Sequence, residues 1–350
     1  MPFEAWYAFI GASAAVLAVP FVLVAERIGR AAGLVDHPRS GEVQERVLPR
    51  TGGYGVFAAF WAAVGLSFLV APPTLERLPA DNLRLVGLFV GSLAIIPLAW
   101  LDDRRRLGPW PQLVGHIVIA TIPVVFGIRI EELATPFGTL AIPEWAQQLL
   151  AVAWIVGMIN AINLIDTMDG LSGGIGAIAA AVLFLRSAWF GQASIAIIPL
   201  ALTGACLGYL TRNWHPSRVI FGSSGAIFLG YILGATTVIG GVKIGTAFLV
   251  LAVPILDVAW VGYRRLSQGR SPFRGGDGEH LPHRLRLLGF SPPAVVLSLY
   301  AVTGSVGVAV LLSHSALPTL GKLYLAGAVV LMVLLGLYLV SRLTARRLAG

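Results

Sequence analysis

Apolar runs of about twenty residues recur along almost the whole chain, and that is the length a helix needs to cross the hydrocarbon of a bilayer. Eleven windows qualify: 4–25, 52–71, 83–101, 112–128, 146–164, 172–187, 193–211, 219–240, 246–263, 292–313 and 322–341. Several contain Gly or Pro, which spans tolerate because neighbouring helices satisfy the freed backbone groups. Charged residues make up only 12% of the chain, against about 25% in a soluble domain. The expected fold is therefore an all-α polytopic membrane protein of about eleven transmembrane helices, one integral membrane domain over 1–350. The N-terminus lacks a short basic leader with a small-residue cleavage site, so the first run is expected to stay as a span. Cys206 sits alone in an apolar run, which excludes a disulfide framework and leaves it a packing role.

The basic residues orient these spans. If the loop after the first span is cytoplasmic, that side carries Arg27, Arg30, Arg39, Arg46, Arg50, Arg104–Arg106, Arg212 and Arg218. It also carries Arg264, Arg265, Arg270, Arg274, Arg284, Arg286, Arg342, Arg346 and Arg347. That is 19 of the 25 Lys and Arg, and the opposite side keeps Arg77, Arg84, Arg129, Arg186, Lys243 and Lys322. Positive residues stay inside. The N-terminus is thus expected outside and the C-terminus in the cytoplasm, as an odd number of spans requires. The net charge of +8 then reflects loops beside an anionic leaflet, not nucleic acid as a partner.

The acids lie on the same side. Asp36, Asp102, Asp103, Asp166, Asp169, Asp257, Asp277 and Glu279 all fall at or next to cytoplasmic ends of spans. Ionisable groups are expensive at membrane depth, and their gathering on one face points to a site in a cleft there. The stretch NAINLIDTMDGLSGG, 160–174, is the densest part. If it is helical, Asn160, Asn163 and Asp166 share one face near a helix end. Their amide and carboxylate oxygens are the hard donors that suit Mg²⁺, which takes a few protein oxygens plus substrate phosphates. A plain polar turn between two spans is the competing reading.

Three other stretches carry candidate chemistry. In LDDRRR, 101–106, adjacent carboxylates repel, so one tends to hold its proton unless a cation lies close. The pair suits proton acceptance or half of a metal or phosphate site; a solvated cluster answered by its own arginines is the alternative. The loop 264–291 is long and basic, and brings His280, His283 and Arg284 together. An Arg fork takes phosphate bidentately. Two His without a third ligand make phosphate or sugar contact the better reading than metal. In NWHPSRVIFGSSG, 213–225, the turn before an apolar helix is either a phosphate-facing set of N–H groups or a flexible connection. On the opposite side, 129–144 alternates enough to predict a short hairpin.

Taken together, the runs 33–53, LDDRRRLGP (101–109), NAINLIDTMDGLSGG (160–174), FGSSGAIFLG (221–230), PILD (254–257) and GRSPFRGGDGEHLPHRL (269–285) resemble a known family. It is the polyprenyl-phosphate N-acetylhexosamine-1-phosphate transferases, the WecA/TagO/MraY superfamily or glycosyltransferase family 4. The runs occur in the family's order and cover most of the chain. The His-x-x-His-Arg ending and eleven spans are closer to the WecA/TagO branch than to the muramyl-pentapeptide branch. The resemblance implies a reaction in which undecaprenyl or another polyprenyl phosphate attacks a UDP-amino sugar, giving a lipid-diphospho-sugar and UMP. This would be the first membrane step of a cell-envelope polysaccharide pathway, such as that of cell wall or lipopolysaccharide, at the cytoplasmic face of the inner (plasma) membrane.

The resemblance also implies roles. Asp102, Asp103 and Asp166 would be catalytic, with Asp102 or Asp103 activating the lipid phosphate. Asn160, Asp169, His280, His283 and Arg284 would bind substrate, Asp169 near the uracil. Asn163 and Ser223 would hold Mg²⁺, or Mn²⁺ in its place. The partners implied are the lipid, the nucleotide sugar and the bilayer, with a homodimer left open. Five positions depart from the family pattern: Ser223 stands for an Asp, Gln112 for a Lys, Gln44 and Pro282 for His, and Thr167 for Gly. Losing the Asp and the Lys removes two charges that would face each other across the diphosphate. The alternative function is a degenerate homologue that binds lipid or nucleotide as a partner protein.

Overall fold

A computed structural model describes residues 2–37, 46–73, 75, 78–135, 138–239, 244–272 and 277–349. Arg39, Gln44, Arg77, Lys243 and Arg274 lie outside the described residues. The chain is a helical bundle: α1 Phe3–Ala31, α2 Gly52–Leu69, α3 Pro79–Arg105, α4 Pro109–Val125, α5 Glu144–Ile165, α6 Leu171–Trp189 and α7 Ala193–Asn213. The remaining helices are α8 Gly222–Val238, α9 Ile244–Val250, α10 Ala252–Ser267, α11 Leu281–Leu287, α12 Pro292–Ala316 and α13 Thr319–Ala349. Among the described residues, eight helices are long and apolar enough to cross a membrane, so the protein is multi-pass. The other apolar windows fall on the shorter α4 and α8 and on α9–α10, a pair bent by 74°.

The predicted hairpin is present, as β3 Glu132–Thr135 paired antiparallel with β4 Gly138–Ala141. A second, smaller pair is not legible in the sequence: β1 Val35–Asp36 lies antiparallel to β2 Leu48–Pro49. The basic loop 264–291 carries more structure than its composition predicts, with a 3-10 turn at Asp277–Glu279 and then α11.

Helix α8 is the axis of the bundle, and every one of its residues is buried. A helix that is apolar all round must be buried all round. α2, α3, α5 and α7 pack against it. Its 17 residues rise about 25 Å, short of a bilayer core of about 30 Å. Because protein surrounds it, it need not match the lipid. Its N-terminus is where the site is built, and two glycines make that possible. A Cβ on Gly53 would lie 2.0 Å from the Gly225 nitrogen, and one on Gly222 would lie 2.1 Å from the Arg50 carbonyl oxygen. Gly222 also needs its left-handed φ of 68°. Backbone N–H groups of Gly52 and Gly53 donate to the carbonyls of Ile220 and Phe221, at 3.1 and 3.0 Å. This crossing sets Arg50 beside the last turn of α3.

Candidate active site

The last turn of α3 puts Asp102 and Asp103 side by side, and their surroundings differ. Both oxygens of Asp102 are occupied. Oδ1 accepts from the Leu107 N–H at 2.9 Å and from Gln112 Nε2 at 2.8 Å. Oδ2 accepts from the Ser223 hydroxyl. Asp103 accepts at Oδ1 from Arg50 Nε at 2.9 Å and from the Ser223 N–H at 3.2 Å. Its Oδ2 is buried with no hydrogen-bond partner among the described residues. One carboxylate oxygen of the pair is therefore left open, and it belongs to Asp103.

The cation beside the pair is Arg50, not the run Arg104–Arg106 that comes next in sequence. Arg50 also reaches Asp36 Oδ1 at 3.2 Å, and Arg106 reaches the same oxygen at 3.1 Å. Arg104 instead lies over the Trp100 ring. The α8 N-terminus does not leave its Ser223 N–H open to a phosphate, because that donor goes to Asp103.

The 166–170 turn joins this cluster. Asp166 Oδ1 accepts from the Ser172 hydroxyl. Burial pushes the Asp166 carboxyl up to about 6; Ser172 and Arg50 oppose the rise, while Asp169 and Asp103 add to it. Asp169 Oδ2 accepts from the Ser217 N–H at 3.1 Å and lies 2.9 Å from His215 Nδ1. The turn is pinned from outside. Gly170 N–H donates to Asn213 Oδ1 at 2.7 Å, Asn213 Nδ2 donates to the Val219 carbonyl at 2.8 Å, and Tyr300 Oη donates to the Gly170 carbonyl. Asn163 is half-buried at the end of α5. Asn160 does not point outward with it: its Nδ2 donates back to the Val156 carbonyl of its own helix, at 2.8 Å.

The His and Arg of the basic loop form a second cluster, built on α10, α11 and α13. His280 and Asp257 are both buried, with Nδ1 2.8 Å from Asp257 Oδ2. Asp257 Oδ1 accepts from the Leu281 N–H at 3.0 Å. A carboxylate on Nδ1 accepts that nitrogen's hydrogen bond and leaves Nε2 for another partner. Arg284 donates to the Ser341 hydroxyl of α13, and its Nη2 is buried without a partner among the described residues. His283 lies half-buried on the same helix. α10 packs along α5, whose end carries Asn163 and Asp166.

Sequence reasoning singles out every acid here but misses four neighbours. It marks Arg50 as a topogenic charge inside the run 33–53, with no role at the acid pair. Tyr54 sits among apolar neighbours in the chain, yet its hydroxyl is buried without a partner near Asp103. His215 and Asn213 lie in a stretch whose only sequence signal is its Gly-Ser turn. Asp257 lies within a matching run, and its role becomes visible only with His280 against it.

The model of glycosyl transferase family 4 matches residues 85–241. A decaprenyl-phosphate N-acetylglucosaminephosphotransferase of Mycobacterium tuberculosis is 31% identical, over 94% of this chain and 89% of that protein. An undecaprenyl-phosphate alpha-N-acetylglucosaminyl 1-phosphate transferase of Salmonella typhi is 30% identical, over 84% of this chain and 81% of its own length. A decaprenyl-phosphate N-acetylglucosaminephosphotransferase of Mycolicibacterium smegmatis is 29% identical over 78% of this chain and 73% of that protein. The helical architecture, the clustered acids and these relatives agree, and the chain belongs to glycosyl transferase family 4, the polyprenyl-phosphate N-acetylhexosamine-1-phosphate transferase superfamily.

Proposed function

We propose that this protein is an enzyme that transfers a sugar 1-phosphate from a UDP-amino sugar, of the UDP-N-acetylglucosamine kind, to a polyprenyl phosphate. A lipid phosphate oxygen forms a bond to the β-phosphorus of the donor. The bond from that phosphorus to the bridging oxygen breaks, and the electron pair leaves with UMP. Phosphoryl transfer of this kind depends on positioning and on neutralised charge more than on covalent chemistry by the protein. The observation that carries the reading is the open oxygen of Asp103, beside three carboxylate oxygens of the acid pair that all have donors. Asp103 Oδ2 takes a proton from the lipid phosphate and aligns it. Asp102 holds the 107–112 turn and Ser223 in place. Asp257 orients His280 so that Nε2, with Arg284, meets the sugar and diphosphate. Asp169 with His215 borders the nucleotide end. The non-catalytic alternative gains nothing from these relatives, each named for a transferase.

A divalent cation fits only in part. Among the described residues, no group of three or more His, Cys, Asp or Glu is arranged to hold a metal. Ser223 gives its hydroxyl proton to Asp102, which leaves its lone pairs free, and Asn163 offers a second neutral oxygen. Two neutral oxygens suit Mg²⁺ only when substrate phosphates complete the shell. Bound there, the ion would neutralise charge on the diphosphate.

In this reading the eleven apolar windows are eleven spans, the cleft opens to the cytoplasm, and the N-terminus lies outside the plasma membrane. A reporter fused after Arg347 is expected to read cytoplasmic, and one in the 72–82 loop extracytoplasmic; the reverse at either site overturns the orientation. The function itself is tested by incubating purified protein with polyprenyl phosphate and a panel of UDP-sugars, with and without Mg²⁺. Release of UMP with a lipid-linked sugar is the expected result. Nucleotide and lipid binding without UMP would establish the non-catalytic alternative instead.

A further inference from the structure

α4 stands between the two helices that carry the candidate acids. It packs on α3, whose last turn holds Asp102 and Asp103, and on α5, whose end holds Asn163 and Asp166. The fit to α3 is close, since a Cβ on Gly115 would lie 2.6 Å from Leu98 Cδ2. The buried residues of α4 are His116, Ile119, Ala120, Pro123 and Val124, and His116 is the one polar side chain among them. It is 0% exposed. An ionisable group inside a membrane bundle is costly, and an apolar residue of similar size would fill the space without that cost. Packing alone therefore does not account for an imidazole at this position.

The surroundings of the ring give it a task. It lies against the Asn160 side chain of α5 and within reach of the Asp102 charge, yet neither ring nitrogen completes a hydrogen bond among the described residues. Asn160 Nδ2 donates to the Val156 carbonyl at 2.8 Å, which commits the donor side of the amide. Oδ1 is left as an acceptor, and a ring N–H is the donor that matches it. The contact sits one turn behind the candidate site on both helices. Gln112, which donates to Asp102 Oδ1 at 2.8 Å, precedes His116 by four residues on α4. Asn163 follows Asn160 by three residues on α5. Residues three and four apart are neighbours on one helix face, so each half of the contact has a site residue beside it.

We infer that His116 is a positioning residue, which donates to Asn160 Oδ1 and so holds Gln112 and Asp102 at a fixed separation from Asn163 and Asp166. The inference rests on the proposed transferase function and adds to it a residue that touches neither substrate. Transfer of a phosphoryl group depends on alignment, and a misplacement of about 1 Å from a change away from the chemistry can cost on the order of a hundredfold in rate. His116 acts on that alignment from both sides, through the support of Asp102 and through the end of α5.

The experiment combines kinetics with nitrogen NMR on the full-length protein in detergent. His116→Leu keeps the bulk and removes the polar contact. Its kcat is expected to fall about tenfold and its half-maximal Mg²⁺ to rise about threefold, while both KM values stay within about twofold. The thermal unfolding temperature is expected not to fall. His116→Gln restores a donor without a titrating ring and is expected to return kcat to within about twofold, with the pH–rate profile unchanged. Asn160→Ala is expected to match His116→Leu, and the double variant to be no worse than either single one, because one contact is removed only once. Normal kcat in His116→Leu, losses that add in the double variant, or a loss in step with a lowered unfolding temperature overturns the inference. Failure of His116→Gln to restore the rate also overturns it and makes the ring a proton carrier. A second reading needs no turnover. In protein labelled with ¹⁵N-histidine, the imidazole signals missing from His116→Gln belong to His116, and they are expected to move in Asn160→Ala. Signals that stay in place overturn the inference. Signals that move in a protein that releases UMP from no donor would instead sink the transferase reading and leave the contact between α4 and α5 standing.

Discussion

The two ends of α3 carry polar clusters of similar make-up, and only one is equipped for chemistry. At the N-terminal end, Asp81 pairs with Arg84 at 3.3 Å and accepts from the Ser194 hydroxyl at 3.0 Å, while Arg84 donates to the Gly127 carbonyl at 3.3 Å. At the other end, roughly 30 Å away along the helix, Asp102 and Asp103 meet Arg50 and Ser223. Both clusters contain an Asp, an Arg and a Ser. In the first, each carboxylate oxygen has a donor, so the cluster ties α3 to α7 and to the end of α4. In the second, more residues converge and still leave Asp103 Oδ2 and the Tyr54 hydroxyl open. Residue type therefore does not distinguish a clamp from a site. The number of unfilled lone pairs does, because an unpaired buried polar group is costly unless a ligand completes it.

The largest test of that contrast is one substitution at each end. Asp103→Asn removes the open carboxylate, and turnover is expected to fall by about two orders of magnitude or more, in the range of a lost general base. Asp81→Asn removes an equally acidic residue from the closed cluster and is expected to leave turnover within about twofold. Comparable losses at both ends would erase the distinction. Asp102→Asn comes next. Its partners are structural, so the expected loss is about tenfold and is matched by Gln112→Ala, which removes one of the two donors to Asp102 Oδ1. If Asp102→Asn were instead as damaging as Asp103→Asn, the roles assigned within the pair would be wrong.

Ser223 sharpens the comparison in another way. Ser223→Asp would set a new carboxylate against Asp102 Oδ2, where now a hydroxyl donates. Like charges at that distance require a cation between them. The variant is expected to need less Mg²⁺ for half-maximal turnover and to lose activity more completely in chelator. Titration of rate against Mg²⁺ for both proteins decides it; an unchanged Mg²⁺ requirement would place the ion elsewhere, with Asp166 the next acid to test. Gln112→Lys added to Ser223→Asp is expected to raise turnover further.

The smallest expected effect concerns Asp166. Its carboxyl is pushed up to about 6 in the native protein from an ordinary value of 3.8. If the ionised form works in transfer, the rate falls as pH drops through about 6, and Asp166→Asn removes that limb. Stability moves the other way. The native state holds this proton more tightly than the unfolded chain, so the contribution is fully present below 3.8 and is lost as pH rises through about 6. A pH–rate profile and thermal unfolding in detergent, each run on wild type and Asp166→Asn, check the two signs. Parallel rather than opposed trends would show that the profile reports another group.

Much of this molecule is legible in the sequence alone. The length and spacing of the apolar windows determine a multi-pass helical bundle, because only a helix satisfies its own backbone in lipid. Alternation over 129–144 determines the hairpin, and the runs around Asp102, Asp166 and His280 determine the family. These properties are local or periodic, so they can be read from neighbours in the chain. Hydrogen-bond partners are not local. Arg50 and Asp103 are 53 residues apart, and Ser223 and Asp102 are 121 apart. The sequence places three arginines directly after the acid pair, yet the fold sends Arg104 to Trp100 and brings Arg50 in from another loop. Asn160 has the right helical spacing to join Asn163 and Asp166, but its amide bonds its own backbone. Only the crossing of α2 over the start of α8 decides which of two adjacent carboxylates keeps a free oxygen. Spacing along a chain fixes which groups can share a face; the packing of distant segments fixes which lone pairs remain for a substrate.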